Sequence, residues 1–405
     1  MRESTGGRGR WYPVVVIVVL LAFLAAGTAN NLVRNPQPRL VADGVPGHSA
    51  QHTESSLSGG GEQYDDLISH ALADLDALTL PSGATLAGWD GPWRYVWPRD
   101  ASFVAAARCS IGQYDEALKV LSFLDRVRPA TGRWEARYTE TGALVDDGRQ
   151  PQLDGSGWVL WATWFCRAGS RYWELVRESA DQIVAELGPD GLPGPSSDYW
   201  ERPETQVTLG TVAPLLTGLR SAVLMATEQN RQAEAARWRS ALDKLTEATD
   251  RVFGPDYPRT PARATSFVEP GVDPIQLGGG ADAIVTILGP PFAPARAVVS
   301  TAIDRALAVL TQPNGGVTPG ENWRADGVSW TPQTALFALS AAARGDHATA
   351  DNLLTWLDRH RTSTGALPEK VNRDLEPAGE APLSWTAALV VLAGTALQNA
   401  LPTPG

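Results

Sequence analysis

The stretch Ser329–Arg361, SWTPQTALFALSAAARGDHATADNLLTWLDRHR, reads as two helices folded back on each other. Its first half, 329–344, is rich in alanine and other small residues, which suits tight packing inside a bundle. Its second half, 346–361, keeps its apolar residues to one face, with Ala350, Leu353, Leu354 and Leu357 at three- and four-residue spacing. Between them stands Gly345. A turn that short joins antiparallel neighbours.

The same rhythm runs from about residue 62 to 400. Helical periodicity predicts twelve segments: 63–78, 99–112, 114–127, 154–168, 170–187, 204–228, 230–250, 274–288, 295–311, 329–344, 346–361 and 384–398. The eighth is the least regular, because Gly278-Gly279-Gly280 interrupts its first turn. Very short turns follow the second, fourth and tenth segments, at Gly112-Gln113, Gly169 and Gly345, whereas long loops precede the even-numbered ones. Six hairpins closed in a ring satisfy this alternation, giving an all-α (α/α)6 barrel. The even helices then form the inner ring, and their N-terminal ends share one rim.

Outside this region, residues 1–10 carry Arg2, Arg8 and Arg10, and Trp11–Ala29 is an apolar run. Basic residues before such a run direct the following chain across a membrane. The expected organisation is a cytoplasmic tail (1–10), a single-pass transmembrane helix (11–29), a flexible Pro/Gly/Ser-rich linker (30–61) and an extracytoplasmic domain (62–400). Cleavage near Gly27-Thr28-Ala29 is the alternative and would release a secreted domain.

A formal net charge of −11 argues against nucleic acid or anionic lipid as a partner of the domain. The five histidines are scattered, and no metal-ligand cluster or cofactor motif stands out. Cys109 and Cys166 both fall in apolar helical segments and are expected to be buried free thiols rather than a bridge. Tryptophan is the compositional outlier, with 15 residues against 8 tyrosines and 8 phenylalanines. An indole is a flat platform for a sugar ring, and its N–H asks for a partner.

Residues capable of chemistry collect in the loops before even-numbered segments. Trp89, Asp90, Trp93, Trp97, Arg99 and Asp100 precede or open the second, and Gln152 and Asp154 the fourth. Trp200, Glu201 and Arg202 precede the sixth; Glu321, Trp323, Arg324 and Trp330 the tenth; Glu369 and Trp385 the twelfth. Taken singly, Asp100, Asp154 or Glu204 would pass for an acid stabilising a helix N-terminus. Their recurrence on one predicted rim points instead to a cleft.

The order of these segments resembles that of glycoside hydrolase family 15, the glucoamylase-type enzymes, over residues 62–400. Tyr95-Val96-Trp97-Pro98-Arg99-Asp100 is similar to the segment whose Arg and Asp grip the non-reducing glucose. Gln152-Leu153-Asp154-Gly155 is similar to the segment before the fourth helix. Trp200-Glu201 resembles the general-acid segment, and Pro368-Glu369 with Leu383-Ser384-Trp385 the general-base segment. The resemblance implies inverting, exo-acting hydrolysis of α-glucosidic bonds, with Glu201 as acid and Glu369 as base. It implies Trp97, Arg99, Asp100, Gln152, Asp154, Trp200, Arg202, Trp323 and Trp385 as substrate-binding residues. The family's arginine before the tenth helix has no counterpart in Gly315–Glu321, which leaves Arg324 as the substitute. A trehalase-like hydrolase and a non-catalytic carbohydrate-binding toroid are the alternatives. Retention of both Glu201 and Glu369 separates the enzymes from the last.

Overall fold

The computed structural model describes residues 37–47, 64–130, 132–261 and 279–405. The chain divides into Met1–Pro38 and a compact unit, Arg39–Gly405, which holds every helix described below. Residues 1–29, expected to hold a basic tail and a membrane span, lie outside the described residues. Among the described residues one helix, Leu209–Glu228, is long and apolar enough to cross a membrane, but it is a core helix with 89% of its apolar window buried.

Eleven α-helices are described: α1 (Asp65–Leu78), α2 (Pro98–Ser110), α3 (Tyr114–Val127), α4 (Asp154–Phe165), α5 (Trp173–Glu186) and α6 (Leu209–Glu228), followed by α7 (Gln232–Phe253), α8 (Ala297–Leu310), α9 (Thr331–Ala343), α10 (His347–Arg359) and α11 (Ser384–Gln398). A 3-10 helix, Ala283–Leu288, stands where the eighth segment was expected. The expected 274–288 helix is shortened for a backbone reason: Gly279 and Gly280 have φ of 66° and 76°, left-handed values that cannot continue a right-handed helix. Residues 274–278 lie outside the described residues.

Neighbouring helices in the inner ring pack in the order α2, α4, α6, the 3-10 helix, α9, α11 and back to α2, so the barrel closes. Burial follows the sequence pattern. In α4, all residues from Asp154 to Thr163 are buried, whereas α3 buries one face through Ala117, Val120, Leu121, Phe123, Leu124 and Val127. The α4–α6 seam depends on missing side chains. A Cβ on Gly157 would fall 2.2 Å from the Pro214 carbonyl oxygen, and one on Gly218 would fall 2.6 Å from the Gly157 Cα. The tight turns after α2 and α9 use Gly112 and Gly345 at φ of 80° and 79°.

Two expectations are corrected. Cys109 and Cys166 form a disulfide, with Cα atoms 5.4 Å apart, stapling the C-terminal ends of α2 and α4. Separated by 57 residues in sequence, they become neighbours because the intervening hairpin returns the chain to the inner ring. The stretch 30–61 is also not linker throughout: Val41 N–H donates to the Gly379 carbonyl at 2.8 Å, Gly44 N–H donates to that of Ala381 at 3.0 Å, and Val45 is buried.

The N-terminal rim is braced by a small antiparallel sheet of β1 (Ser329–Trp330), β2 (Lys370–Val371) and β3 (Pro377–Ala378). Trp330 pairs with Lys370, and Lys370 with Ala378. This register fixes the loop before α11, and therefore Glu369, against the start of α9.

Candidate active site

The turn before α6 is built on a buried carboxylate. Asp198 accepts from Trp200 N–H at 2.9 Å through its side chain and from Glu201 N–H at 2.7 Å through its carbonyl. So tight a turn carries Glu201 into the left-handed region, at φ 56°, a conformation that costs a non-glycine residue free energy and persists only where its surroundings hold it. Asp198 is in turn held by the Thr208 hydroxyl at 2.6 Å and by Arg259 at 2.9 Å.

Arg259 is the keystone beneath this turn. Its guanidinium lies 3.7 Å from the Trp200 ring centroid and also pairs with Glu204 at 2.7 Å and Asp282 at 3.1 Å. Burial opposes its charge, yet Asp198, Asp282 and Glu204 together hold it above the usual arginine range. Burial likewise raises the pKa of Glu204 and Asp282, against the pull of Arg259. The Tyr199 hydroxyl completes the group by donating to Asp282 at 2.5 Å.

The Glu201 carboxylate accepts a hydrogen bond from the Trp97 indole N–H, with the Arg149 guanidinium and, at 3.8 Å, that of Arg99 as ion-pair partners. Trp97 caps α2, with Pro98 in its first turn. Asp100, in the first turn of α2, is 2% exposed and pairs with Arg99 at 2.8 Å. Burial raises its pKa while Arg99 opposes the rise. The Arg99 guanidinium also lies 4.3 Å from the Trp385 ring centroid.

Glu369 enters from the loop before α11. Its N–H donates to the Glu380 carbonyl at 2.7 Å, its carbonyl accepts from Thr331 N–H at 3.1 Å, and its carboxylate lies 3.1 Å from the Lys370 ammonium. Gly379 is required beside it, since a Cβ there would fall 2.4 Å from the carboxylate. Glu380 accepts from the backbone N–H groups of Trp89 and Asp90, at 2.7 and 2.9 Å, and so ties this loop to the one before α2.

These loops enclose a cavity of about 380 Å³ at the N-terminal rim of the inner ring. Eight of the twelve residues proposed from sequence line it: Trp97, Arg99, Asp100, Trp200, Glu201, Trp323, Glu369 and Trp385. Trp323 packs edge-on against Trp200 and Trp330, with centroids 4.8 and 5.6 Å away, and makes an aromatic wall. A groove of about 620 Å³, lined by the C-terminal ends of α9 and α11, has no carboxylate in its wall.

Four candidates do not line the cavity. Gln152 is buried behind the acid turn, its amide 3.4 Å from the Asp198 carbonyl. Asp154 is buried at the start of α4, where it accepts from the Trp158 indole at 3.2 Å. Burial and the nearby charge of Asp198 push its pKa up to about 7. The Arg202 guanidinium lies 5.8 Å from the Trp200 ring centroid and pairs with Glu204 at 3.3 Å. Arg324 is exposed and stands outside the cavity, so it does not replace the arginine expected before α9.

Among the lining residues not anticipated, two carry side chains able to pair with a sugar or an ion. Arg149 comes from the loop between α3 and α4, and Gln333 from the first turn of α9. Gln333 is 2% exposed, and its Oε1 has no hydrogen-bond partner. The same is true of Arg99 Nε and Nη1 and of the Trp200 and Trp385 indole nitrogens. Leaving buried donors and acceptors unmet costs about 1–3 kcal/mol each. Such a mixed set around a cavity suits a ligand that offers both donors and acceptors, as a polyhydroxylated ring does.

No protein-family model matches the chain. Its sequence is similar to an uncharacterized glycosyl hydrolase of Methanocaldococcus jannaschii, 23% identical over 194 residues, a match spanning 46% of this chain and 30% of that protein. Three solved structures share its architecture. A wild-type glycosidase aligns with TM-score 0.63 and 20% identity over 82% of this chain and 96% of the other. A bacterial glucoamylase complexed with acarbose aligns with TM-score 0.67 and 20% identity, covering 84% and 56%. Glucoamylase from Saccharomycopsis fibuligera aligns with TM-score 0.66 and 10% identity, covering 88% and 98%. The chain therefore has the six-hairpin (α/α)6 fold of these glycosidases and glucoamylases.

Proposed function

We propose that the protein is an inverting glycoside hydrolase that removes α-linked glucose from the non-reducing end of an oligosaccharide. Glu201 would protonate the glycosidic oxygen while Glu369 takes a proton from water. The C1–O bond to the leaving sugar breaks as the water oxygen bonds to C1 from the opposite face, so one water is consumed and the anomeric configuration inverts. Arg99, Asp100, Gln333 and the indoles of Trp200 and Trp385 would bind the hydroxyls of the sugar being released. The observation that carries this reading is the entry of Glu201 and Glu369 into one cavity from separate loops, among buried polar atoms without partners.

The Cys109–Cys166 bridge favours an oxidising compartment, in keeping with a domain exported behind the apolar run 11–29. Membrane tethering through that run belongs to the same proposal. The hydrolytic assignment is tested with a panel of maltose, maltotriose, isomaltose, trehalose and dextran, run with the wild-type protein and the Glu201→Gln and Glu369→Gln variants. Glucose release by the wild type and a loss of several orders of magnitude in both folded variants is expected. Undiminished turnover by either variant would overturn the assignment.

A further inference from the structure

The surroundings of Glu201 oppose the role the proposed function gives it. A general acid must carry a proton, yet Glu201 is paired with Arg149, has Arg99 at 3.8 Å and accepts from the Trp97 indole. Each of these interactions favours the charged carboxylate. Arg99 is 10% exposed and committed to Asp100 and the Trp385 face, and Trp97 is buried as the cap of α2. Arg149 is different. It lies on a loop, its side chain is 34% exposed, and it lines the cavity.

The charges around Arg149 show what would draw it away. Its other partner is Asp147, whose Oδ2 lies 3.2 Å from Arg149 Nε and is shared with Arg137. Arg137 is itself buried and donates to the Pro92 carbonyl at 2.6 Å. The connected set Arg99, Arg137 and Arg149 with Asp100, Asp147 and Glu201 balances only while Glu201 is ionised. Burial and repulsion from Arg137 and Arg99 hold the Arg149 guanidinium below its usual range, against the pull of Asp147. With Glu201 neutral the set holds three guanidiniums against two carboxylates, and Arg149 is the least constrained of the three cations.

We propose that Arg149 reads the leaving group, and that the site takes α-glucosides whose leaving group carries a carboxylate. The group now facing Arg149 is a carboxylate, that of Glu201. A substrate carboxylate would take over the pairing and free Glu201 to hold its proton. A neutral leaving group offers no such exchange and leaves Arg149 on Glu201. Selectivity of this kind acts on kcat as well as KM, because the ligand both binds and frees the acid. This inference rests on the α-glucosidase reading and is separable from it.

The test compares pairs of substrates that differ in one group: maltobionate with maltitol, and isomaltobionate with isomaltitol, with maltose as a neutral reference. The wild type is expected to prefer the carboxylate member by about tenfold or more in kcat/KM, part of it in kcat, as for one charge-assisted pair. Arg149→Gln should bring the ratio near one, and Arg149→Lys should keep most of it. Equal kcat/KM for both members in the wild type, or a preference unmoved in Arg149→Gln, overturns the inference and leaves the α-glucosidase reading standing. Hydrolysis of none of the five overturns this inference, and hydrolysis of none of the neutral panel above as well overturns the α-glucosidase reading.

Discussion

Replacing Arg259 by Gln tests how the fold holds its acid. Arg259 is 4% exposed and is the shared cation of Asp198 and Asp282, both 0% exposed, and of Glu204. Removing one partner of a buried ion pair costs about 3–5 kcal/mol, because the carboxylates left behind stay desolvated. Loss of the stacked contact with Trp200 would add up to about 2 kcal/mol if the two effects were independent. They share one side chain, so about 4 kcal/mol at pH 8 is the expected cost. The cost should shrink at lower pH. Burial already raises the pKa of Asp282 and Glu204, and protonation removes the charges the variant leaves unpaired. Urea unfolding of wild type and Arg259→Gln at pH 8 and pH 5 measures both effects. In the folded variant kcat should fall by about a hundredfold, since an error of about 1 Å at Glu201 is costly to catalysis. A cost below about 1 kcal/mol at pH 8, equal at both pH values, would refute this role for Arg259.

Three further outcomes are expected from the same geometry. Cys109→Ala with Cys166→Ala opens a loop of 57 residues, for which the chain-entropy relation gives about 4 kcal/mol of lost stability; urea midpoints with and without reductant should show a reductant effect in the wild type alone. Asp154 has a folded pKa of about 7 against an ordinary value of 3.8, so its contribution is retained below about pH 4 and lost as pH rises toward 7. Asp154→Asn should therefore flatten the decline of thermal stability between pH 5 and 8, and an unchanged slope would contradict the assignment. Gln333→Leu removes a buried acceptor at the cavity wall and should lower kcat/KM by about 10- to 100-fold with little change in melting temperature.

The barrel was legible because its signals are local. Ala-rich inner helices, one-faced outer helices such as Ala350–Leu357, and single-glycine turns are all periodic or punctuating features. The inner-ring count then placed Trp97, Glu201, Glu369 and Trp385 on one rim. Arg149 and Arg259 were not legible because each comes from an irregular loop, where no period says which way a side chain points. Gln333 was hidden for the opposite reason: within an apolar helix it reads as an ordinary interior position, and only its unpartnered Oε1 distinguishes it. The disulfide lay between these cases. Placing the second and fourth segments side by side in the ring brings Cys109 and Cys166 to the same level, a signal available once the topology is fixed.

The central claim is that Glu201 and Glu369 act on opposite sides of one α-glucosidic bond. Proton NMR of the sugar first released from an α-linked glucoside, recorded before mutarotation, tests it most directly. An acid and a base so placed should yield β-glucose as the initial product. Initial release of α-glucose would contradict the claim.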